Sequence, residues 1–402
     1  MDLSRFDFFN PDMMRDPYPY FAQMREQAPI HYDAKLQAHV LSRYEDVSYV
    51  LKNHALFSST QVRVGGKLQE ERAASKELSS VSSLVSTDPP MHTNMRGMVS
   101  RSFTPKQINA LAPRVRELSH QLVAEMTSRP EFDFMDGLAS PLPVTIIAEM
   151  LGIDPSRRRD FKRWSDTLIQ ATNTSMRTGK QPEEVVRSAE EMLSYMKQVA
   201  EERRREPRGD LISLLVRETD GVAALSPQEV NSFTVLLLIA GNETTTNLLG
   251  NALAALIRNP EAYARLREDP SPAACAAVCE ETLRYDLFGK TGVPKFAKEA
   301  LEFNGVPLRK GQMVIPHLPA ALRDGEVFPE PDRFDIRRDV SQTLAFGGGQ
   351  HFCLGAAVAR MELDTVVGTL VRRFATLRLA GEPEFEPHPI MRAMRRLDVT
   401  VR

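Results

Sequence analysis

The sequence predicts a mainly α-helical protein with a minor, peripheral β portion, folded as a single large domain over residues 1–402 around one long central helix. Helical patterning runs almost unbroken from Pro105 to Asn259. Short strand-like runs occur near the N-terminus and again within Leu301–Ile315 and Leu397–Val401. Because no repeat, low-complexity tract or long linker interrupts the chain, one domain is the simplest organisation.

Composition and charge exclude several classes of protein. Hydrophobic residues make up 42% of the chain and charged residues 26%, and 51 basic side chains nearly balance 53 acidic ones. This balance lacks the basic field of a dedicated nucleic-acid-binding protein. Charged residues are scattered through the first thirty positions, which excludes a secretory signal or a membrane anchor there. We therefore expect a soluble, cytoplasmic protein that binds neither nucleic acid nor membrane.

The chain contains three cysteines, Cys275, Cys279 and Cys353. An odd and small number does not form a disulfide framework, so at least one thiol stays free. No cluster of His or Cys accompanies the first two, which are predicted to be small buried hydrophobic residues. Cys353 lies at the start of a helix predicted from Ala356 to Phe374, where the helix N-terminus favours a thiolate.

Four glycines surround Cys353 within the segment Phe346–Gly355 and let the backbone lie against something flat and bulky. A dinucleotide-binding loop is excluded, because spacing from Gly347 places Phe352 where the third glycine is needed. Gly289–Thr291 likewise lacks the first glycine of a P-loop. A lone cysteine cannot complete a tetrahedral zinc site, whereas a macrocycle that supplies four nitrogens needs only one axial thiolate.

A capping box at Ser226–Glu229 and a stop at Asn259-Pro260 predict one helix from Pro227 to Arg258, roughly 48 Å long at about 1.5 Å per residue. Its apolar run Phe233–Ala240 indicates a core helix and is too short to span a membrane. Gly241–Thr246 then interrupts it with a glycine, an amide, a carboxylate and three hydroxyls. In one interpretation the glycine admits a group to the backbone while Glu243 and a threonine hydroxyl handle protons. The alternative is a partly exposed polar turn.

Taken in order, these motifs resemble those of the cytochrome P450 family over nearly the whole chain. Phe346–Gly355 matches the family's haem-ligand loop, F-G-x-G-x-H-x-C-x-G, at every defined position. Ala240–Thr245 is similar to the family's oxygen-activation motif, with Asn242 replacing the frequent histidine. The resemblance implies the cytochrome P450 fold, haem b as cofactor, and Glu243 and Thr244 as catalytic residues.

The resemblance also implies binding and structural roles. Asp88–Arg96 resembles the segment whose His and Arg hold a haem propionate, and Glu281 and Arg284 match the E-x-x-R helix, with Arg333 closing a salt-bridge triad. Taken alone, Glu281 with Arg284, like His92 with Arg96, could be an ordinary pair on a helix surface. The implied cofactor-binding residues are His92, Arg96, Ala240, Gly241, Lys295, Phe346, Gly347, His351, Cys353 and Gly355, with Cys353 as the ligand of the iron.

Three features depart from the family pattern. Lys295 replaces a usual arginine, so a point charge stands where a bidentate fork is common. Leu322 replaces a usual asparagine, and the segment between Arg284 and Lys295 lacks the usual proline. The resemblance implies a substrate pocket that is lined by Val81, Leu84, Val85, Leu236, Leu237, Leu287, Val293, Ile390 and Met391.

The implied activity is that of a haem-thiolate monooxygenase, an oxidoreductase that hydroxylates or epoxidises a small, largely apolar organic substrate in secondary metabolism, steroid or fatty-acid oxidation. It would use O2 and electrons from a ferredoxin and ferredoxin reductase, because the sequence contains no reductase domain. The alternatives are a peroxide-driven enzyme, one that couples aromatic rings by radical chemistry, and a non-catalytic haem sensor. Retention of Glu243 and Thr244 favours dioxygen over peroxide.

Overall fold

The structure is a computed structural model, and it describes residues 13, 16–60, 84–157, 159–168, 182–218, 224–289, 292–386 and 391–401. The chain divides into two compact units. Unit 1 comprises Met1–Val64, Arg114–Ala139 and Thr245–Arg402, and unit 2 comprises Gly65–Pro113 and Ser140–Thr244. The single-domain organisation over residues 1–402 stays a prediction.

Helices dominate the described chain, as the sequence predicts. A helix that is not numbered below occupies residues 159–168. The labelled helices are α1 (Tyr18–Gln27), α2 (Tyr44–Lys52), α3 (Met91–Ser100), α4 (Pro105–Met126), α5 (Pro141–Met150), α6 (Glu183–Arg205), α7 (Leu211–Leu215), α8 (Pro227–Arg258), α9 (Pro260–Glu268), α10 (Pro272–Tyr285), α11 (Leu318–Ala321) and α12 (Ala356–Arg373).

The strands among the described residues belong to unit 1 and form small sheets. They are β1 (Ile30–Asp33), β2 (Ala38–Leu41), β3 (Phe57–Ser58), β4 (Glu131–Asp133), β5 (Lys295–Ala297), β6 (Leu301–Phe303), β7 (Val306–Leu308), β8 (Met313–Pro316), β9 (Leu377–Leu379), β10 (Glu384–Glu386), β11 (Ala393–Arg396) and β12 (Asp398–Val401). The largest sheet has five strands in the order β1-β2-β8-β5-β3, and only its β2–β8 pair is parallel. A three-stranded sheet, β4-β12-β9, and the hairpins β6–β7 and β10–β11 complete the predicted minor β portion.

Helix α8 begins and ends at the predicted residues because its capping signals are satisfied. The Ser226 N–H donates to Glu229 Oε2 at 2.8 Å, and the Glu229 N–H donates to Ser226 Oγ at 3.3 Å, which completes the capping box. At the other end, the Asn259 N–H donates to the Ala255 carbonyl at 3.0 Å, and Pro260 begins α9. Local chemistry therefore sets both ends of the longest helix described.

Helix α1 covers part of the five-stranded sheet. Phe21 and Met24, which are 1% and 0% exposed, pack in one cluster with Ala38, Val40 and Ile315 of β2 and β8. Burying a side chain of this size contributes roughly 1.5–3 kcal/mol to stability. Apolar side chains of α1 therefore cover the parallel pair of strands β2 and β8.

The carboxylate of Glu281 on α10 is 1% exposed and binds two guanidinium groups. Arg284 donates to its two oxygens through Nε and Nη2, each at 2.8 Å. The second group belongs to Arg338, whose Nε lies 3.4 Å from Glu281 Oε1. The structure thus corrects the prediction that the Arg333 guanidinium closes this triad. Arg333 joins through its backbone carbonyl, which accepts from Arg284 Nη2 at 3.1 Å, while its side chain is 54% exposed beside Glu330.

The turn between Arg333 and Arg338 explains why Arg338, and not the Arg333 side chain, pairs with Glu281. The Asp335 N–H donates to Glu281 Oε1 at 2.8 Å, so the turn wraps around the carboxylate. Arg338 comes back towards the carboxylate with a side chain that is 10% exposed, and its Nη2 donates to the Arg333 carbonyl at 3.1 Å. Choosing the arginine of the segment Pro331–Phe334 from the sequence therefore identifies the wrong side chain as the second partner of Glu281.

We predict that Arg338→Met destabilises the protein more than Arg333→Met. Removing one partner of a buried carboxylate should lower the free energy of unfolding by about 2 to 3 kcal/mol, since Arg284 remains. The exposed Arg333 side chain should contribute less than about 1 kcal/mol, because its variant keeps the backbone carbonyl. Urea unfolding of the two variants measures this difference. Equal decreases in the free energy of unfolding would contradict this assignment, because they would indicate that the Arg333 side chain also pairs with Glu281.

Candidate functional site

The loop of residues 346–355, in unit 1, carries Cys353 to the start of α12. Gly347 and Gly349 adopt left-handed backbone conformations with φ of 75° and 62°, which favour glycine. The Cys353 N–H donates to the Phe346 carbonyl at 2.9 Å, which closes the loop two residues before the N-cap of α12, Gly355. The sulfur therefore lies close to the positive end of a helix, which favours the thiolate.

Cys353 differs from the other two cysteines in its exposure. Its side chain is exposed, whereas Cys275 and Cys279 on α10 are 2% and 0% exposed. Burial raises the pKa of the Cys275 thiol, and it raises the pKa of the Cys279 thiol well above its usual value. The prediction that these two are buried hydrophobic residues is confirmed. Across the described ranges no group of three or more His, Cys, Asp or Glu residues could hold a metal ion.

Helix α2 packs directly against the cysteine loop. A Cβ atom on Gly349 would lie 2.8 Å from the Leu51 carbonyl oxygen and 3.4 Å from Lys52 Cα. A Cβ on Gly348 would lie 3.5 Å from Leu51 Cβ, which is an ordinary contact. Two constraints, the close backbone of α2 and the positive φ, therefore require glycine at position 349.

The start of the loop is held by α10 and α12 together. The Arg360 guanidinium of α12 lies 4.5 Å from the centroid of the Phe346 ring. Arg360 is itself paired with Glu280 of α10, with Nη2 3.1 Å from Oε2 and a shorter contact from Nε to Oε1. A cation held by a carboxylate against the ring face limits the movement of Phe346 and of the loop that follows it.

A second group of polar side chains in unit 1 gathers positive charge. Lys295 on β5, 4% exposed, donates from Nζ to Ser59 Oγ at 2.6 Å. His351 Nε2 of the cysteine loop lies 2.8 Å from the same hydroxyl. The structure thus brings together Lys295 and His351, which are 56 residues apart in the numbering of the chain. Sequence reasoning missed Ser59, because no motif marks it. An ammonium, an imidazole and a hydroxyl in contact suit an anionic group such as a carboxylate.

In unit 2, α8 carries the polar interruption beside an open face. Leu236, Leu237, Ala240, Gly241 and Thr244 are exposed or partly exposed, whereas much of this helix is buried. Their spacing of three to four residues places them along one side of the helix. The open side is apolar apart from Thr244, which suits a flat apolar ligand and an apolar substrate.

The buried members of the interruption lie away from that face. Glu243 and Asn242 are 8% and 3% exposed, and Asn242 Nδ2 donates to Ser165 Oγ at 2.8 Å. The Thr244 hydroxyl donates to the Ala240 carbonyl at 2.5 Å. The alternative of a solvated polar turn therefore does not describe Asn242 and Glu243, and Thr244 keeps oxygen lone pairs that can accept a hydrogen bond.

The glycine of the interruption has a packing role. A Cβ on Gly241 would lie 2.7 Å from Ile147 Cδ1 of α5. The nearest atom to such a Cβ is therefore the end of a side chain of the protein, and the interpretation that Gly241 admits a group to the backbone stays a prediction. Ala240, the neighbouring residue, is the exposed one.

His92 and Arg96 lie one turn apart on α3 in unit 2. His92 is 2% exposed and Arg96 is partly buried, so a solvated surface pair does not describe the histidine. A buried imidazole one turn from a guanidinium provides two donors for an anion from the same side of a helix.

Besides Leu236 and Leu237 on the open face of α8, the predicted substrate residues fall into three sets. In unit 2, Leu84 is 6% and Val85 42% exposed. In unit 1, Leu287 and Met391 are 7% and 9% exposed, and Val293 is 45% exposed. Val81 and Ile390 lie outside the described residues.

Comparison with known proteins places the chain in a family. The model of the family described as Cytochrome P450 matches residues 10–271 and 274–399. The chain belongs to the cytochrome P450 family. Cytochrome P450 107B1 of Saccharopolyspora erythraea is 37% identical over 94% of this chain and 92% of its own length. The Vitamin D(3) 25-hydroxylase of Pseudonocardia autotrophica is 34% identical over 98% of this chain and 96% of its own.

The solved structure of epothilone D-bound Cytochrome P450epoK superimposes on this P450 with a TM-score of 0.90. It is 31% identical and covers 99% of both chains. The predicted fold class is therefore confirmed as the P450 fold. This P450 is a haem-dependent monooxygenase of the bacterial type, in line with relatives that are hydroxylases and epoxidases.

The residues of this P450 fit haem. The exposed thiol of Cys353 is a side chain that could ligate the haem iron, whose other protein-independent ligands are the four nitrogens of the macrocycle. Within unit 1, the contact among Lys295, Ser59 and His351 gathers donors of the kind that a propionate accepts from. Within unit 2, the exposed Ala240 is an apolar position on α8. Among the described residues, no helix is both long and apolar enough to cross a membrane.

We predict that Gly349→Ala weakens the cysteine loop and that Gly348→Ala does not. Forcing a Cβ against the Leu51 carbonyl in a left-handed conformation should cost about 1 to 3 kcal/mol, whereas the neighbouring substitution meets ordinary contacts. Thermal unfolding and the haem content of the purified variants measure the effect. Matching losses in both variants would contradict this account of the loop.

Proposed function

We propose that this P450 takes electrons from a ferredoxin and its reductase and uses O2 to hydroxylate or epoxidise a small, largely apolar organic molecule. The observation that carries the proposal is the exposed thiol of Cys353, held at the N-terminal end of α12 while the other two cysteines are buried. We propose Cys353 as the ligand of the haem iron. When bound, haem would supply the redox centre for a reaction in which one atom of O2 enters the substrate and the other, with two electrons and two protons, leaves as water.

We propose that Thr244 and Glu243 manage the protons. Because its hydroxyl hydrogen is given to the Ala240 carbonyl, Thr244 presents lone pairs to the open face and can hold a donor there. Consecutive helical residues point about 100° apart, so the buried Glu243 carboxylate lies on a different side of α8. This division suits a relay in which Glu243 passes protons and Thr244 positions the group that receives them.

We propose the propionates as the partners of the basic residues in each unit. Lys295, Ser59 and His351 would hold one carboxylate through charge-assisted hydrogen bonds, and His92 and Arg96 would serve the other. With a buried lysine in place of the family's usual arginine, Ser59 supplies a donor that a bidentate fork would otherwise provide.

We propose an apolar substrate of the size of a steroid, a polyketide or a fatty acid. The described side chains assigned to the pocket, Leu84, Val85, Leu236, Leu237, Leu287, Val293 and Met391, are all apolar. Relatives carry the names Epothilone C/D epoxidase and Vitamin D(3) 25-hydroxylase, which denote the epoxidation of epothilones C and D and the hydroxylation of vitamin D3. Selectivity among such molecules would depend on shape, because apolar side chains offer no hydrogen bonds.

We propose that the protein works in the cytoplasm with soluble redox partners. None of the three cysteines, all of which lie in the described part of the chain, forms a disulfide, and the thiol of Cys353 is exposed, which suits a reducing compartment. Phe352, beside Cys353, is 43% exposed, so this part of the cysteine loop is accessible to a partner protein.

We predict that Cys353→Ser abolishes the thiolate-type spectrum of the reduced, carbon monoxide-bound protein. Cys275→Ser and Cys279→Ser are the matched controls, because each replaces a buried thiol by a hydroxyl. The controls should keep the spectrum even where they lower stability, since the ligand is untouched. An imidazole-type spectrum in freshly purified wild-type protein would refute the proposed iron ligand.

We predict that Thr244→Ala separates electron consumption from product formation, whereas Thr244→Ser retains both. Loss of the hydroxyl removes a positioned group that raises the rate of proton transfer by about 10²-fold or more. Electrons from the ferredoxin should therefore be consumed with release of hydrogen peroxide. The measurement is the ratio of oxidised product formed to electrons consumed in a ferredoxin-supported assay. A ratio that stays the same in the alanine variant would rule out the relay.

A further inference from the structure

Two segments of unit 1 meet beside the proposed substrate residues. One is Asp286–Gly289, which follows α10, and the other is Met391–Arg392, which precedes β11. Gly289 and Met391 form an antiparallel β-bridge. The Arg392 N–H also donates to the Phe288 carbonyl at 2.7 Å. The backbones on either side of Leu287 and Met391 are therefore linked directly.

A partly buried ion pair adds a side-chain link between the same segments. Arg392 Nη1 lies 2.9 Å and 3.1 Å from the two carboxylate oxygens of Asp286. The two side chains are 9% and 17% exposed. The Arg392 guanidinium also covers the Phe385 ring at 4.0 Å. Water screens such a pair poorly, and losing one charge leaves the other without compensation in a largely dry environment.

Asp286 makes three further hydrogen bonds, each to a different helix. The Tyr18 hydroxyl of α1 donates to Asp286 Oδ1 at 2.8 Å, and Asn251 Nδ2 of α8 donates to the Asp286 carbonyl at 2.8 Å. The Asp286 N–H donates to the Thr282 carbonyl at the end of α10. Burial, followed by the charge of Asp286, raises the pKa of Tyr18 well above its usual value, so this phenol remains a donor. Asp286 thus ties Arg392 to three helices.

We propose that the Asp286–Arg392 pair is a positioning device that sets the separation of Leu287 and Met391 and thereby the shape of ligand that fits beside them. Each of these apolar residues is the chain neighbour of one member of the pair, and both are nearly buried, at 7% and 9%. The inference rests on the proposed function, which assigns Leu287 and Met391 to the substrate pocket. The pair touches no substrate and acts through its neighbours.

The test compares two iron ligands in the haem-loaded full-length protein. Imidazole and 4-phenylimidazole both bind haem iron through nitrogen, but only the phenyl ring of the second reaches the pocket walls. The ratio of their dissociation constants, from optical titration, therefore reports pocket shape separately from the iron. In Asp286→Asn and Arg392→Lys we expect this ratio to change by about tenfold, the usual scale of discrimination by an apolar pocket. The dissociation constant of imidazole should stay within about twofold, well below that scale.

Two further variants separate positioning from stability. Asp210→Asn breaks another buried pair, in which Arg203 Nε lies 2.5 Å from Asp210 Oδ2 and the side chains are 3% and 8% exposed. It should lower stability and leave the ratio unchanged. Tyr18→Phe removes one hydrogen bond from Asp286 and should shift the ratio by about threefold, even if the charge variants fail to fold.

The outcomes are distinct. An unchanged ratio in Tyr18→Phe and in whichever of the charge variants fold, with an intact thiolate-type spectrum, would overturn this inference and leave the proposed function standing. A ratio that shifts equally in Asp210→Asn would also overturn it, because the effect would then follow stability alone. If wild-type protein gave no thiolate-type spectrum, the proposed function and this inference would fall together.

Discussion

The carboxylate of Glu281 is the point on which unit 1 depends. It lies buried on α10 and is neutralised by Arg284 from its own helix and by Arg338 from the turn that wraps around it. A buried carboxylate with one partner missing is costly, so the helix and the turn are stable only together. The neighbouring Glu280 pairs with Arg360 of α12, and the guanidinium of Arg360 covers Phe346 at the start of the cysteine loop. Ionic contacts of α10 therefore help to hold the start of the cysteine loop.

Helix α8 shows a different compromise between folding and function. Most of its turns follow the rules for a core helix, but residues 241–246 place polar groups where apolar ones would be more stable. The protein satisfies two of these groups, because Asn242 donates to Ser165 of another helix and Thr244 donates to the Ala240 carbonyl one turn earlier. Ile147 lies against Gly241. What remains open is one apolar face with a hydroxyl on it. A cofactor and a substrate without many polar groups suit that face.

The contrast between Arg333 and Arg338 shows where sequence reasoning reached its limit. The motif pointed to the arginine beside the phenylalanine, yet five residues later the chain has turned, and another arginine faces Glu281. The basic residues that cluster after Asp335 were a signal that more than one arginine competed for the carboxylate. Ser59 had no such signal, because its partners Lys295 and His351 are remote in sequence and meet it only in the folded chain.

The sequence by itself determined the long helix and its ends, the mainly helical class, the burial of Cys275 and Cys279, and the loop that presents Cys353. These depend on caps, periodicity and glycine conformations, which act over a few residues and can be read from neighbours in the chain. Only the tertiary structure decided which arginine neutralises Glu281, which hydroxyl joins Lys295 to His351, and which ion pair links Asp286 to Arg392. The physical reason is that several side chains of the same chemistry are available for each contact, and packing of the whole chain selects the one within reach.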